Sequence, residues 1–148
     1  MDGAIHRAAG PQLLEETRTL GGCATGDAKI TKGYRLKAHH VIHAVGPVYR
    51  PGNATVADQL ASAYRRSLEV ALENQIRSIA FPSISTGVYS YPLEEAAPIA
   101  LGTIFGFVMS HDQPELIRFV LFDPKTMQSY TNALAAQVAQ RPELAFID

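Results

Sequence analysis

The segment 82–92 (PSISTGVYSYP) carries the residues best suited to hold a ligand. It follows an apolar run, 78–81, that is typical of a buried strand, and a helix-like stretch starts at Leu93. Ser85, Thr86 and Gly87 combine short side chains, hydroxyl groups and one glycine free to take a positive φ, so the backbone can wrap closely around an anion. Strand–loop–helix units of this kind direct backbone N–H groups and a helix N-terminus at a phosphate. The segment predicts a site for a nucleotide-like ligand, although an ordinary strand-to-helix turn favours the same residue types.

Other nucleotide and hydrolase signatures are absent from the sequence. No lysine follows the segment as in a P-loop, and no G-x-G-x-x-G occurs. Ser85 lacks the G-x-S-x-G setting of a serine hydrolase. Tyr89 offers a flat face for a sugar, whereas Tyr91 suits either the ligand or the core. The loop itself therefore carries the prediction.

The histidines and the single cysteine are not expected to do chemistry. No pair of the five histidines has the helical i, i+4 spacing with an acid between them, so no metal site is predicted. Cys23 excludes an internal disulfide, and without a nearby cationic cluster it is expected to be a half-buried residue rather than a nucleophile. We expect neither metal nor cofactor.

Strands and helices alternate along the chain and must position the loop. Helix is predicted over 3–20 (broken at Gly10-Pro11), 56–73, 93–109 and 124–139, and strand over 27–31, 40–45, 77–81 and 116–122. The fourth strand is almost continuously apolar, which is typical of a central strand covered on both faces. The alternation predicts an α/β sandwich with a largely parallel or mixed sheet, and residues 1–148 are expected to form a single domain.

Composition restricts the classes of function. Hydrophobic residues make up 47% of the 148 residues and charged residues 18%, as in ordinary globular domains. A formal net charge of −1 argues against binding nucleic acid through bulk electrostatics. No apolar run approaches the ~20 residues that a membrane span needs. The N-terminus does not resemble a signal peptide, so a reducing, cytoplasmic location is expected.

Four segments occur in an order that identifies a family resemblance. They are 2–11 (DGAIHRAAGP), 26–31 (GDAKIT), 41–47 (VIHAVGP) and the loop 82–92. Together they closely resemble the macro domain family, in the branch that hydrolyses ADP-ribose esters, including O-acetyl-ADP-ribose. The resemblance extends from residue 2 to residue 139. It implies a three-layer α/β/α sandwich around a mixed sheet.

The resemblance also assigns roles to individual residues. The matching aspartate, Asp2, is expected to position the water that attacks the distal ribose, although its sequence position also suits a helix N-cap. Phe122 lies where relatives stack an aromatic ring on adenine, and a core position is the alternative. The residues expected to contact the diphosphate and distal ribose are Ile84, Ser85, Thr86, Gly87, Val88 and Tyr89. Ser90 replaces a glycine that is common in relatives.

One departure from the family pattern leaves three functions open. Relatives carry a strand–helix–strand unit with an Asn-Ala-Ala-Asn motif and a glycine run before the segment that matches Asp2, and this unit is expected to be missing here. The leading function is hydrolysis of ADP-ribose from acidic side chains of modified proteins, or deacetylation of O-acetyl-ADP-ribose. A non-catalytic ADP-ribose reader is the second. The third is an inactive fragment that self-associates through exposed sheet edges.

Overall fold

A computed structural model describes residues 1–143 as an α/β fold. Within these residues there are five helices and four strands; two helices and two strands come first, and from the third helix onward helices and strands alternate. In chain order they are α1 (Asp2–Ala9), α2 (Pro11–Arg18), β1 (Ala28–Lys32), β2 (His40–Ala44), α3 (Thr55–Glu73), β3 (Ser78–Phe81), α4 (Leu93–Val108), β4 (Leu116–Phe119) and α5 (Pro124–Ala139). No helix within these residues is both long enough and apolar enough to cross a bilayer.

Strand pairing is mixed, which confirms the predicted fold class. β1 runs antiparallel to β2, with Ile30 opposite Ile42. β3 runs parallel to β4, with Ile79 opposite Ile117, and α4 makes the crossover that a parallel pair requires. Within the described residues the strands form two separate two-stranded sheets, because β2 and β3 do not pair with each other. β2 and β3 therefore each have an edge without a strand partner.

The core lies mainly among α3, α4 and α5. On α3, Leu60, Tyr64 and Leu68 are fully buried, as their four-residue spacing predicts, whereas Leu72 at the end of the repeat is partly exposed. α4 packs against both α3 and α5. The helix α3 also packs on β1 and β2, so it connects the hairpin to the helical layer.

Two expectations about strand burial are wrong. β4 ends at Phe119 rather than at residue 122, and its burial alternates instead of covering both faces. Leu116 is 44% exposed, and β4 pairs with β3 alone within residues 1–143. In β3 only Phe81 is buried, since the strand borders an open cleft described below. An apolar run thus indicated a strand correctly but not its burial.

Candidate functional site

A large cleft opens between β2 and β3 and extends over the loop 82–92. Its volume is about 1430 Å³, above the range of about 300–1,000 Å³ that is usual for small-molecule sites. The residues that the sequence singled out for ligand binding or catalysis all line this cleft: Asp2, Ile84, Ser85, Thr86, Gly87, Val88, Tyr89 and Phe122. Residues more than eighty positions apart in the chain are therefore brought to one surface.

The middle of the loop presents a row of free backbone donors. Within residues 1–143, the N–H groups of 85–89 donate to no protein acceptor. The two residues that follow donate back to the loop: the Ser90 N–H donates to the Gly87 carbonyl (3.0 Å) and the Tyr91 N–H to the Ser85 carbonyl (2.9 Å). Successive free N–H groups in a turn are the usual protein means of binding a phosphate. The loop can therefore bind an anion without a lysine.

The loop obtains its turns from serines rather than from its glycine. Ser85 has φ 67° and Ser90 has φ 60°, both in the left-handed region that glycine adopts most easily. Gly87 does not have a positive φ, although as a glycine it is free to adopt one. Instead, no atom lies within 4 Å of where a Cβ on Gly87 would be. Gly87 leaves open space beside the free N–H groups.

Two tyrosines hold the far end of the loop. Tyr91 is buried, and its ring centroid lies 4.9 Å from that of Tyr49, which settles its role as a core residue. The Tyr49 N–H donates to the Tyr89 carbonyl (2.9 Å), and the Tyr49 hydroxyl donates to Glu95 (3.1 Å). Tyr89 is 39% exposed and Val88 is 96% exposed. Both side chains remain available at the mouth of the cleft.

Gly46, just after β2, contacts the near side of the loop. A Cβ on Gly46 would lie 2.1 Å from Ser85 Oγ and 2.5 Å from Ile84 Cγ2. Real Cβ atoms essentially never come within 3.0 Å of another heavy atom, so a larger residue at position 46 would require the Ile84 and Ser85 side chains to shift. Ser85 Oγ is buried and has no hydrogen-bond partner within the described residues. A buried hydroxyl of this kind is available to a ligand that enters the cleft.

Asp2 lines the cleft and does not cap a helix. It is the first residue of α1, and the N-cap position belongs to Met1, so the capping alternative is not observed. Its carboxylate lies 3.5 Å from His6 Nε2, and its side chain is 88% exposed. His6 was not paired with Asp2 on the basis of the sequence, although their four-residue spacing on a helix could have indicated the contact. A free carboxylate facing a cleft can accept a proton from water.

Phe122 and the start of α5 border the opposite side of the cleft. Phe122 is fully exposed, so the core alternative is wrong. The next residue, Asp123, caps α5 by accepting hydrogen bonds from the Thr126 N–H (2.8 Å) and hydroxyl (3.0 Å). These bonds lower the pKa of Asp123. An exposed phenyl ring on a fixed helix start is suited to stack on a planar group.

His43 and Cys23 are two titratable residues whose pKa values are shifted by burial. His43 is half-buried, its Nε2 lies 2.9 Å from Thr31 Oγ1, and burial lowers its pKa. Cys23 is half-buried as expected, and burial raises the pKa of its thiol. Within residues 1–143, no three side chains of the types that bind metals lie close enough to hold an ion.

Comparison with known proteins points to one family. The model of the macro domain family matches residues 1–100. A macro domain-containing protein of Chlorobaculum tepidum is 56% identical over 136 residues, which are 92% of this chain and 79% of the relative. An O-acetyl-ADP-ribose deacetylase of Citrobacter rodentium is 50% identical over 141 residues, which are 93% of this chain and 80% of the relative. A mutant of the Oceanobacillus iheyensis macrodomain solved with ADPR has a TM-score of 0.87 and is 41% identical. The match covers 93% of this chain and 77% of that one.

Proposed function

This chain belongs to the macro domain family, and on that premise we propose that it binds ADP-ribose in the cleft between β2 and β3. The observation that carries the proposal is the row of free N–H groups from 85 to 89 in the same cleft as Asp2 and Phe122. The free N–H groups suit a diphosphate, and Tyr89 suits a ribose. Phe122 suits a purine. The similar macrodomain structure with ADPR supports this choice of ligand.

We further propose that the bound ligand is a substrate, an ester of the distal ribose. Asp2 accepts a proton from water, and the water oxygen forms a bond to the anomeric carbon. As this bond forms, the bond from the anomeric carbon to the carboxylate oxygen of a modified Asp or Glu side chain breaks, which releases that side chain as a carboxylate. His6, 3.5 Å from Asp2, limits the freedom of the carboxylate. The activity named for the Citrobacter rodentium relative supports ester hydrolysis.

A calorimetric titration with ADP-ribose tests binding, and release of ADP-ribose from a protein modified on acidic residues tests hydrolysis. Asp2→Asn keeps the size of the side chain but cannot accept the proton. We expect its rate of release to fall by about 10²–10⁴-fold, the usual contribution of a general base. Its dissociation constant for ADP-ribose should stay within about threefold of that of the unsubstituted protein, because the free N–H groups are unchanged.

The same assays separate the alternatives. Binding without release by the unsubstituted protein would identify a reader that does not hydrolyse its ligand. Absence of binding at millimolar ADP-ribose would reject both functions. Size-exclusion chromatography then tests self-association, because the unpartnered edges of β2 and β3 offer main-chain donors and acceptors to a second copy.

A further inference from the structure

A chain of hydrogen bonds connects two helices to the first residues of the loop. Tyr64 on α3 is fully buried and Tyr130 on α5 is nearly so, and their hydroxyl oxygens are 3.2 Å apart. The Ile84 N–H donates to the Tyr64 hydroxyl (2.9 Å), and the Tyr130 hydroxyl donates to Ser83 Oγ (2.9 Å). The Tyr64 hydroxyl also lies 3.3 Å from the Pro82 carbonyl. Three consecutive loop residues are thus bonded to side chains from other elements.

The direction of these bonds follows from counting protons. Each tyrosine hydroxyl has one proton to donate and can accept at the same oxygen. The Ile84 N–H donates to the Tyr64 oxygen and Tyr130 donates to Ser83 Oγ. The one proton of Tyr64 faces both the Tyr130 oxygen (3.2 Å) and the Pro82 carbonyl oxygen (3.3 Å). The Thr86 hydroxyl also reaches Ser83, at 2.8 Å from its Oγ and 3.1 Å from its carbonyl oxygen. The bonds therefore reach the residue that precedes Gly87.

We propose that the hydroxyls of Tyr64 and Tyr130 are positioning groups that hold the loop in the conformation in which its N–H groups can bind a ligand. Neither tyrosine needs to touch the ligand. They fix residues 82–84, directly before Ser85 adopts its left-handed conformation and the row of free N–H groups begins. A loop fixed before binding does not lose that conformational freedom on binding, which improves affinity. The identity of the ligand as ADP-ribose rests on the proposed function; the anchoring of the loop does not.

The surroundings of the two rings allow their hydroxyls to be tested separately from their packing. Tyr64 lies with its ring centroid 5.4 Å from that of Phe81 and 6.0 Å from that of Phe119, and Tyr130 lies 5.0 Å from Phe119. Tyr→Phe substitutions keep these aromatic contacts. Burial raises the pKa of both tyrosines, so both hydroxyls stay protonated through the physiological range.

The test compares Tyr64→Phe and Tyr130→Phe with Tyr34→Phe. The Tyr34 hydroxyl donates to Glu16 (2.6 Å), and both residues lie far from the loop in sequence. Tyr34→Phe therefore also removes one hydrogen-bonded hydroxyl, but not one that bonds to the loop. Two quantities are measured well below the melting temperature: amide hydrogen exchange at Ile84 without ligand, and the dissociation constant for ADP-ribose. We expect Tyr64→Phe to speed exchange at Ile84 by about fivefold, as loss of one hydrogen bond should. Both loop variants should weaken binding by about three- to tenfold.

Each outcome decides the proposal. Faster Ile84 exchange and weaker binding in the loop variants, with neither change in Tyr34→Phe, support it. Lower melting temperatures with unchanged Ile84 exchange and unchanged affinity would show a purely structural role and overturn it. If the unsubstituted protein fails to bind ADP-ribose, the proposed function fails, and Ile84 exchange alone then decides: faster exchange in Tyr64→Phe upholds anchoring, and unchanged exchange rejects it.

Discussion

Gly46→Ala is the substitution for which the structure predicts the clearest effect on the site. The new Cβ would lie 2.1 Å from Ser85 Oγ and 2.5 Å from Ile84 Cγ2. Gly46 does not have a positive φ, so alanine meets no backbone strain and the effect is steric. The Ile84 and Ser85 side chains belong to the loop, and they must move by about 1 Å to restore ordinary contact distances.

The expected magnitude follows from the usual cost of overpacking. One extra methyl group in a tightly packed contact destabilises a protein by about 1–3 kcal/mol. For a domain of this size that corresponds to a fall in melting temperature of roughly 3–10 °C. Because the displaced residues lead into the free N–H groups, affinity for ADP-ribose should fall by more than about tenfold.

Differential scanning fluorimetry measures the fall in melting temperature, and calorimetric titration measures the loss of affinity for ADP-ribose. Gly106→Ala is the control: it lies on α4, and no atom lies within 4 Å of its Cβ position. The free energy of unfolding of this control should rise by about 0.5–1 kcal/mol because alanine has the better helix propensity. Its dissociation constant for ADP-ribose should not change. If Gly46→Ala melts and binds like the unsubstituted protein, the close approach of Gly46 to the loop is wrong.

Two further predictions concern stability. The pKa of His43 is lowered from its ordinary value of 6.5 by burial, so the unfolded chain takes up a proton first as pH falls. The free energy of unfolding should therefore decline from pH 6.5 downward, by less than the ~1.4 kcal/mol per pH unit of full proton uptake because the ring is half-buried. His43→Gln should flatten this decline in urea titrations at pH 5 to 7, and an unchanged slope would reject the assignment. Asp123→Ala removes the cap on α5 and should cost about 1 kcal/mol in the same titrations, with Asn restoring most of it; equal stability would refute the capping role.

Elements with a strong local signal could be predicted from the sequence. The four-residue apolar repeat Leu60, Tyr64, Leu68 and Leu72 indicated the helix α3, and its first three members are buried while Leu72 is 37% exposed. Pro124 after Asp123 predicted where α5 begins. An ordinary turn favours the same small hydroxyl residues, so the loop was recognised because it occurs in order with three other segments that resemble the macro domain family. For the two helices the determining contacts lie within a few residues along the chain.

The failures concern contacts that are remote in sequence. The apolar residues of β4 indicated a strand but not which elements cover it, and burial depends on those elements. The sequence drew attention to Gly87 as the residue free to take a positive φ, but the left-handed residues are Ser85 and Ser90. The contact of Gly46 with Ser85 and the bonds from Tyr64 to the loop involve helix and strand neighbours that no local pattern reveals.

The most direct test of the central claim is a titration of the ¹⁵N-labelled protein with ADP-ribose, followed by amide chemical shifts. If the free N–H groups bind the diphosphate, the largest saturable changes should occur at the amides of 85–89, with smaller changes near Asp2 and Phe122. Amides on the far side of α4, such as that of Gly106, should not move. Absence of change at 85–89 with millimolar ADP-ribose, or saturable changes confined to another surface, would contradict the assignment of this cleft as the binding site.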